Sequence, residues 1–213
     1  MNQITYGALR AVPTAARPNQ RALAKQRTRE KIVAAAKSLF AERGYEGATI
    51  RDIAKLAGMS TGAVFASFTD KSDLFTEIAE TEQSELLAAM REAGESLSGR
   101  KAIYAMLEAA AERHMAELAL FQAVMSALWT PGLADRIRRR LDRRPAIALI
   151  LAAVRQDFGC EAQNVDCNLV AELIWDGYAA TLRRAALDGL TLEAVKTRVN
   201  EATRAVLAGT RRG

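Results

Sequence analysis

Residues 45–71 read YEGATIRDIAKLAGMSTGAVFASFTDK, and the order of caps, apolar positions and a glycine in this stretch sets the reading of the chain around it. Thr49 and Asp52 have the spacing of a capping box, with Asp in place of the usual Glu or Gln. Ile50, Ile53, Ala54 and Ala57 then line one face of a short helix. Gly58 follows where the chain needs a left-handed residue to turn sharply, Met59 fills the corner, and Ser60 caps another helix running through Phe68. Val64 and Phe68, four apart, face the core with Met59. That leaves Thr61, Gly62, Ala63, Phe65, Ala66 and Ser67 on the outside, and an exposed phenylalanine asks for a partner. The pattern is helix, tight turn, helix.

The flanks extend it. Upstream, Thr28 is placed to cap a helix in which Ile32, Val33, Ala36, Leu39 and Phe40 recur at three- and four-residue spacing, running to about Arg43 and closed by Gly44. Downstream, Asp70 caps a further helix with Asp73 at its N3 position, and Lys71 projects from its start. Charge is unevenly distributed: Met1 to Ser60 holds eleven basic residues against the acids Glu30, Glu42, Glu46 and Asp52, a net +7, while the rest of the 213-residue chain carries −2. A basic end points to nucleic acid or is merely a solvated face, and the helical pattern within it decides between them.

From Thr28 to Phe75, TREKIVAAAKSLFAERGYEGATIRDIAKLAGMSTGAVFASFTDKSDLF closely resembles the DNA-binding domain of the TetR/AcrR family of transcriptional regulators. The LFAERGYEGATIRDIAKLAG run, the turn at GMS and the Phe68 to Lys71 element occur in the same order. The resemblance implies a sequence-specific regulator. It would be most often a repressor, released from its operator when a small, largely apolar effector wedges the C-terminal helices and spreads the recognition helices. The alternative is a helix-turn-helix protein with no small-molecule effector.

By resemblance, the helix capped by Ser60 enters the major groove with Thr61, Gly62, Ala63, Phe65, Ala66 and Ser67. The family often has Tyr where Phe65 stands and Tyr or His at Ala66 and Ser67, so hydrogen bonds to phosphate from these positions are partly missing. Ala63 and Phe65 suit thymine methyl groups, and Gly62 suits close backbone approach. Arg51 matches a family position that reaches a base edge, its other reading being a solvated helix Arg. Thr49 and Lys71 resemble phosphate-gripping positions, with Thr28, Arg27 and Arg29 placed to touch the DNA backbone from the first helix. The basic arm of residues 1–26, with Pro13 and Pro18, either reaches a minor groove or is disordered.

Helical periodicity continues through Ala93, then from Arg100 to Trp129, Leu133 to Leu141, Pro145 to Phe158, Val165 to Leu187 and Leu192 to Leu207. The expected fold is therefore all-α, about nine helices, with a three-helix DNA-binding domain over 27–75 and a larger helical effector-binding and dimerisation domain over 76–213. Leu192, Val195, Val199, Ala202 and Val206 have the spacing of a helix-packing seam, and Leu169, Leu173 and Gly177 lie on the preceding helix. The resemblance makes these a homodimer interface that presents two recognition helices to a palindromic operator. Without it, internal packing explains them equally well.

Tyr104, His114, Met115, Phe121, Met125, Trp129, Trp175 and Tyr178 supply the bulky, mildly polar surface that lines small-molecule pockets, each having core packing as its alternative. A single histidine, no phosphate-cradling glycine loop, no nucleophile with a base and no metal-ligand spacing argue against an enzyme and against any cofactor. Cys160 and Cys167 are read as free thiols. No apolar run is long enough to span a membrane, the longest being Pro145 to Val154, and a cytoplasmic location is expected.

Overall fold

The computed structural model describes residues 20–159 and 165–209. Within these residues ten helical segments follow one another: α1 (Gln20–Gly47), α2 (Ile50–Leu56), α3 (Thr61–Phe65), α4 (Lys71–Gly94), α5 (Gly99–Ala116), α6 (Leu118–Ala127), α7 (Leu133–Arg140), α8 (Arg144–Phe158), α9 (Cys167–Asp188) and α10 (Leu192–Gly209). Among the described residues there are no strands, in keeping with the all-helical reading. Nor, among the described residues, is any helix long and apolar enough to cross a membrane, or any group of three His, Cys, Asp or Glu side chains placed to hold a metal ion.

Local signals carried by caps and glycines appear in the structure as expected. Thr49, Ser60 and Asp70 are extended N-caps whose side chains accept from the N–H groups of Asp52, Ala63 and Asp73. Gly44 and Gly58 take positive φ of 70° and 68°, a region in which a side chain is strained, so each can break direction where other residues would not. Three boundaries differ from expectation. Thr28 does not cap α1: the helix already runs from Gln20, because the run RALAKQR is composed of strong helix formers. Residues 20–26 are therefore helix rather than arm, and residues 1–19 lie outside the described residues. α3 closes at Phe65, as the chain leaves the helix to bring Phe68 into the core. The continuous helix expected from Arg100 to Trp129 is two, broken at Glu117 (φ −124°, ψ 35°).

The break at Glu117 follows from there being two cores. One gathers Ile32, Ala36, Leu39 and Phe40 of α1, Ile53 of α2, Val64 of α3 and Leu74, Phe75 and Ile78 of α4; it also takes in Leu120, Ala123, Val124 and Ala127 of α6 and Leu133 and Ile137 of α7. The other joins Leu86 and Met90 of α4 to α5, α8, α9 and α10. α4 contributes to both, and α6 and α7, though distant in sequence, complete the core under the helix-turn-helix.

Part of the seam on α10 is internal. Val195 and Val199 are fully buried in the second core, with Leu192 and Val206 packed against it. A Cβ built on Gly177 would meet the Ala202 Cβ at 3.9 Å, so this pair is where α9 and α10 approach. Heptad-like spacing says that a helix lies along the seam but not whose, and α5 and α9 of the same chain occupy it. Val195 and Val199 are thus internal packing, whereas Leu192, Gly177, Ala202 and Val206 are only half-buried within the chain. Leu169 and Leu173 differ: they stand 52% and 47% exposed on the outer face of α9.

Candidate functional site

The turn at Gly58 sets α3 on the surface of the first core, held by buried Val64 and Phe68. Thr61, Gly62, Phe65 and Ala66 are exposed, Ala63 and Ser67 half-buried, and Phe65 is 56% exposed, so the outward face is the expected one. Its hydroxyls are largely committed: Ser60 Oγ caps α3, and Ser67 Oγ–H donates back to the Ala63 carbonyl at 3.4 Å. Beside it, Arg51 is exposed on α2, with no hydrogen bond or ion pair to other described residues. What this face offers is one free guanidinium, an aromatic ring and a Cβ-free backbone at Gly62.

Three expected phosphate-gripping side chains are engaged within the fold. Lys71 Nζ donates to the carbonyls of Tyr45 at 2.8 Å and Ala48 at 3.1 Å and lies 4.2 Å from the centre of the Tyr45 ring. It satisfies carbonyls that the end of α1 leaves open. Thr49 Oγ1 donates to Asp52 Oδ2 at 2.7 Å and accepts from the Asp52 N–H, so it caps α2, with the Asp52 carboxylate meeting the Thr49 hydroxyl instead of the backbone N–H that a capping box would use. Arg29 donates to both carboxylate oxygens of Glu77 and, through Nη1, to the Ser67 carbonyl at 2.6 Å, while stacking 4.1 Å over Phe68. It clamps α1 to α4 and to the end of α3 rather than facing outward. Thr28 is half-buried on α1, one residue before this clamp.

A second site lies between the cores, a cavity of about 480 Å³ bounded by α4, α5, α6, α9 and the α7–α8 region. His114, Phe121, Met125, Trp129, Trp175 and Tyr178 all line it, with Leu86, Leu120, Val124, Leu128 and Leu182. Tyr104 and Met115 do not; Met115 packs on the second core instead, and Tyr104 lies ten residues before His114 along α5. His114 Nδ1 and the Tyr178 hydroxyl are hydrogen-bonded at 2.6 Å, and His114 also meets Phe121 edge-on, ring centres 4.9 Å apart. Burial pushes the His114 pKa down from 6.5 to about 4 and the Tyr178 pKa well above its ordinary value, so both are neutral near pH 7.

Sequence reading missed the charges on this wall. Lys37 of α1 pairs with Glu82 at 2.9 Å and Glu117 at 2.8 Å, and Arg113 reaches Glu82 at 3.0 Å and also Glu85. Burial alone would raise the Glu82 pKa, but the hydrogen bonds from Lys37 and Arg113 outweigh it and hold it below the usual value. The available signal was Lys37 itself, which falls one helical turn from both Val33 and Phe40 and so beside the apolar face of α1. Through it the cavity wall is joined to the first helix of the helix-turn-helix unit. Arg136 of α7 makes a second link, donating to Ser72 Oγ at 2.6 Å and pairing with Asp70, the N-cap of α4.

Residues 32–78 match the family model described as bacterial regulatory proteins, tetR family. The repressor AcnR of Corynebacterium diphtheriae is 39% identical over 66 residues, which is 31% of this chain and 35% of that protein. The regulator AcrR of Shigella flexneri is 43% identical over 61 residues, 29% of this chain and 28% of that protein. The chain thus spans only about a third of the curated relatives it matches. Over nearly the whole fold, a putative transcriptional regulator from Pseudomonas aeruginosa superposes with a TM-score of 0.72 at 20% identity, covering 88% of this chain and 93% of that one. FadR of Bacillus subtilis, solved with stearoyl-CoA, does so at 0.66 and 18% identity, covering 84% and 98%.

Proposed function

Because its N-terminal segment is that of the TetR family of bacterial regulatory proteins, we propose that this chain is a sequence-specific DNA-binding transcriptional regulator, a repressor released from its operator by a small, largely apolar effector. The observation that carries the reading is the exposed outer face of α3, with Phe65 and Gly62 outward and Arg51 beside it, directly after the segment of residues 1–60 whose net charge is +7. Curated relatives over this segment are named repressors, which favours repression.

The cavity favours an effector over a helix-turn-helix protein that lacks one. Leu120 and Val124 of α6 touch both the cavity and the core beneath the helix-turn-helix, and Lys37 joins that core's first helix to the cavity wall. A ligand that displaces α6 or competes for Glu82 changes the seating of α1 and α4. The coupling needs only a ligand that binds one arrangement more tightly, typically by about 1–3 kcal/mol. A homodimer follows from recognition itself, since one short helix reads few bases, and exposed Leu169 and Leu173 on α9 are the apolar surface for it.

Fluorescence anisotropy of the purified protein on the DNA upstream of its own gene, against scrambled DNA and across a salt series, tests the proposal. Preferential binding that weakens steeply with salt and loses its preference in Arg51→Ala supports it. Equal, weak binding to both DNAs overturns the choice of operator or the specific-binding reading, and a screen of random duplexes distinguishes the two.

A further inference from the structure

We propose that the cavity takes an amphiphilic anion, its apolar body between α4, α6 and α9 and its negative head at Arg138 and Arg183. This rests on the effector reading above and adds the chemical class of the ligand.

The cavity wall carries charges of both signs. Its carboxylates are all engaged: Glu82 by Lys37 and Arg113, Glu117 by Lys37, and Asp176 by Arg143 at 3.0 Å. A cationic ligand would have to displace a partner from each. His114 and Tyr178 are neutral and satisfy one another, so they offer polarity without charge. The arginines are not matched in the same way. Arg183 makes no ion pair with any described residue, and Arg138 has only Asp135 at 3.9 Å, one turn back on the same helix and largely in solvent. Arg113, on the same wall, leaves its buried Nε–H without an acceptor. The charges left without a protein partner are therefore positive, Arg183 and Arg138, both at the exposed edge of the cavity, and the Arg113 Nε–H is a buried donor beside them. Elsewhere the lining is hydrocarbon and aromatic, from Leu86 and Leu120 to Leu182 and Trp175. Such a wall rewards a molecule that buries a long apolar part and keeps a carboxylate or phosphate at the guanidinium groups, which bind such heads through paired N–H donors.

The chain's two tryptophans, Trp129 and Trp175, both line the cavity, so their fluorescence reports entry of a ligand. Dodecanoate, dodecanol and dodecylamine, each below its aggregation limit, share one apolar body and differ in the head. Dodecanoate is expected to bind roughly tenfold more tightly than either of the others, and the double variant Arg138→Gln, Arg183→Gln to remove that preference while leaving dodecanol binding unchanged. Equal or tighter binding of dodecanol or dodecylamine overturns the anionic head and leaves the effector cavity standing. A dodecanoate preference that survives in the double variant overturns the assignment to these arginines. Failure of all three to bind overturns the apolar effector cavity and this proposal with it.

Discussion

Arg51 and Gly62 separate recognition from stability because neither has a role inside the fold. Arg51→Ala is expected to cost about 1–3 kcal/mol of discrimination between operator and scrambled DNA. Its unfolding midpoint should stay within about 0.5 kcal/mol of wild type, as for other exposed positions without partners. Gly62→Ala has room, since the new Cβ would lie 3.7 Å from Ser60 Oγ, and in a helix alanine is favoured over glycine by about 1 kcal/mol. Thermal unfolding should therefore rise slightly while DNA affinity falls, and unchanged affinity would show that the backbone there does not approach DNA. His114 gives a pH signature. Folded, it stays neutral to about pH 4, whereas the unfolded imidazole takes up its proton near 6.5. Below pH 6.5 the unfolded chain binds more protons, so this contribution to stability is complete above 6.5 and lost as pH falls toward 4. Urea titrations at pH 7 and pH 5 are expected to differ by about 2 kcal/mol from this residue, and His114→Gln to flatten that difference.

Among the elements, α4 joins the parts, and its N-terminus concentrates the links. Asp70 caps α4 through the Asp73 N–H at 2.7 Å, accepts from Ser72 Oγ at 2.6 Å, and pairs with Arg136 of α7. The hydrogen bond from Ser72, then those from the Asp73 N–H and Arg136, hold its pKa below the usual carboxylate range despite partial burial. Asp70→Ala is expected to destabilise the protein by about 1–2 kcal/mol in urea unfolding. Asp70→Asn, which caps a helix equally well but carries no charge for Arg136, should lose less than half as much. Equal losses in the two would mean that the α7 link, not the cap, is what the residue supplies. α6 illustrates a different dependence. Its residues continue the periodicity of α5, yet the chain breaks at Glu117 so that α5 serves the second core and α6 the first.

At the scale of the whole molecule, two apolar sets on α9 and α10 make opposite expectations. Leu169 and Leu173 are outward, so Leu169→Arg with Leu173→Arg should leave urea unfolding of the chain nearly unchanged while analytical ultracentrifugation shows a shift from dimer to monomer. Val199 is fully buried, so Val199→Ala should cost about 2 kcal/mol of stability and leave a dimer intact where the chain remains folded. The reverse pattern would restore the α10 seam as the interface. This contrast marks how far the sequence is legible. Caps at Thr49, Ser60 and Asp70, the positive-φ glycines 44 and 58, and the outward face of α3 were determined by sequence, because each is fixed by hydrogen bonds or sterics among residues a few positions apart. Most of the aromatic and methionine side chains expected at a pocket also converge on one. What only the tertiary structure decided are matters of partner: that Lys71 and Arg29 spend their charge on the fold, that Val195 and Val199 of α10 are buried within their own chain, and that Lys37 reaches Glu82 and Glu117. Periodicity specifies which face of a helix is covered and a charge specifies that it wants a counterpart, but the identity of either depends on contacts between residues far apart in the chain, which local sequence does not encode.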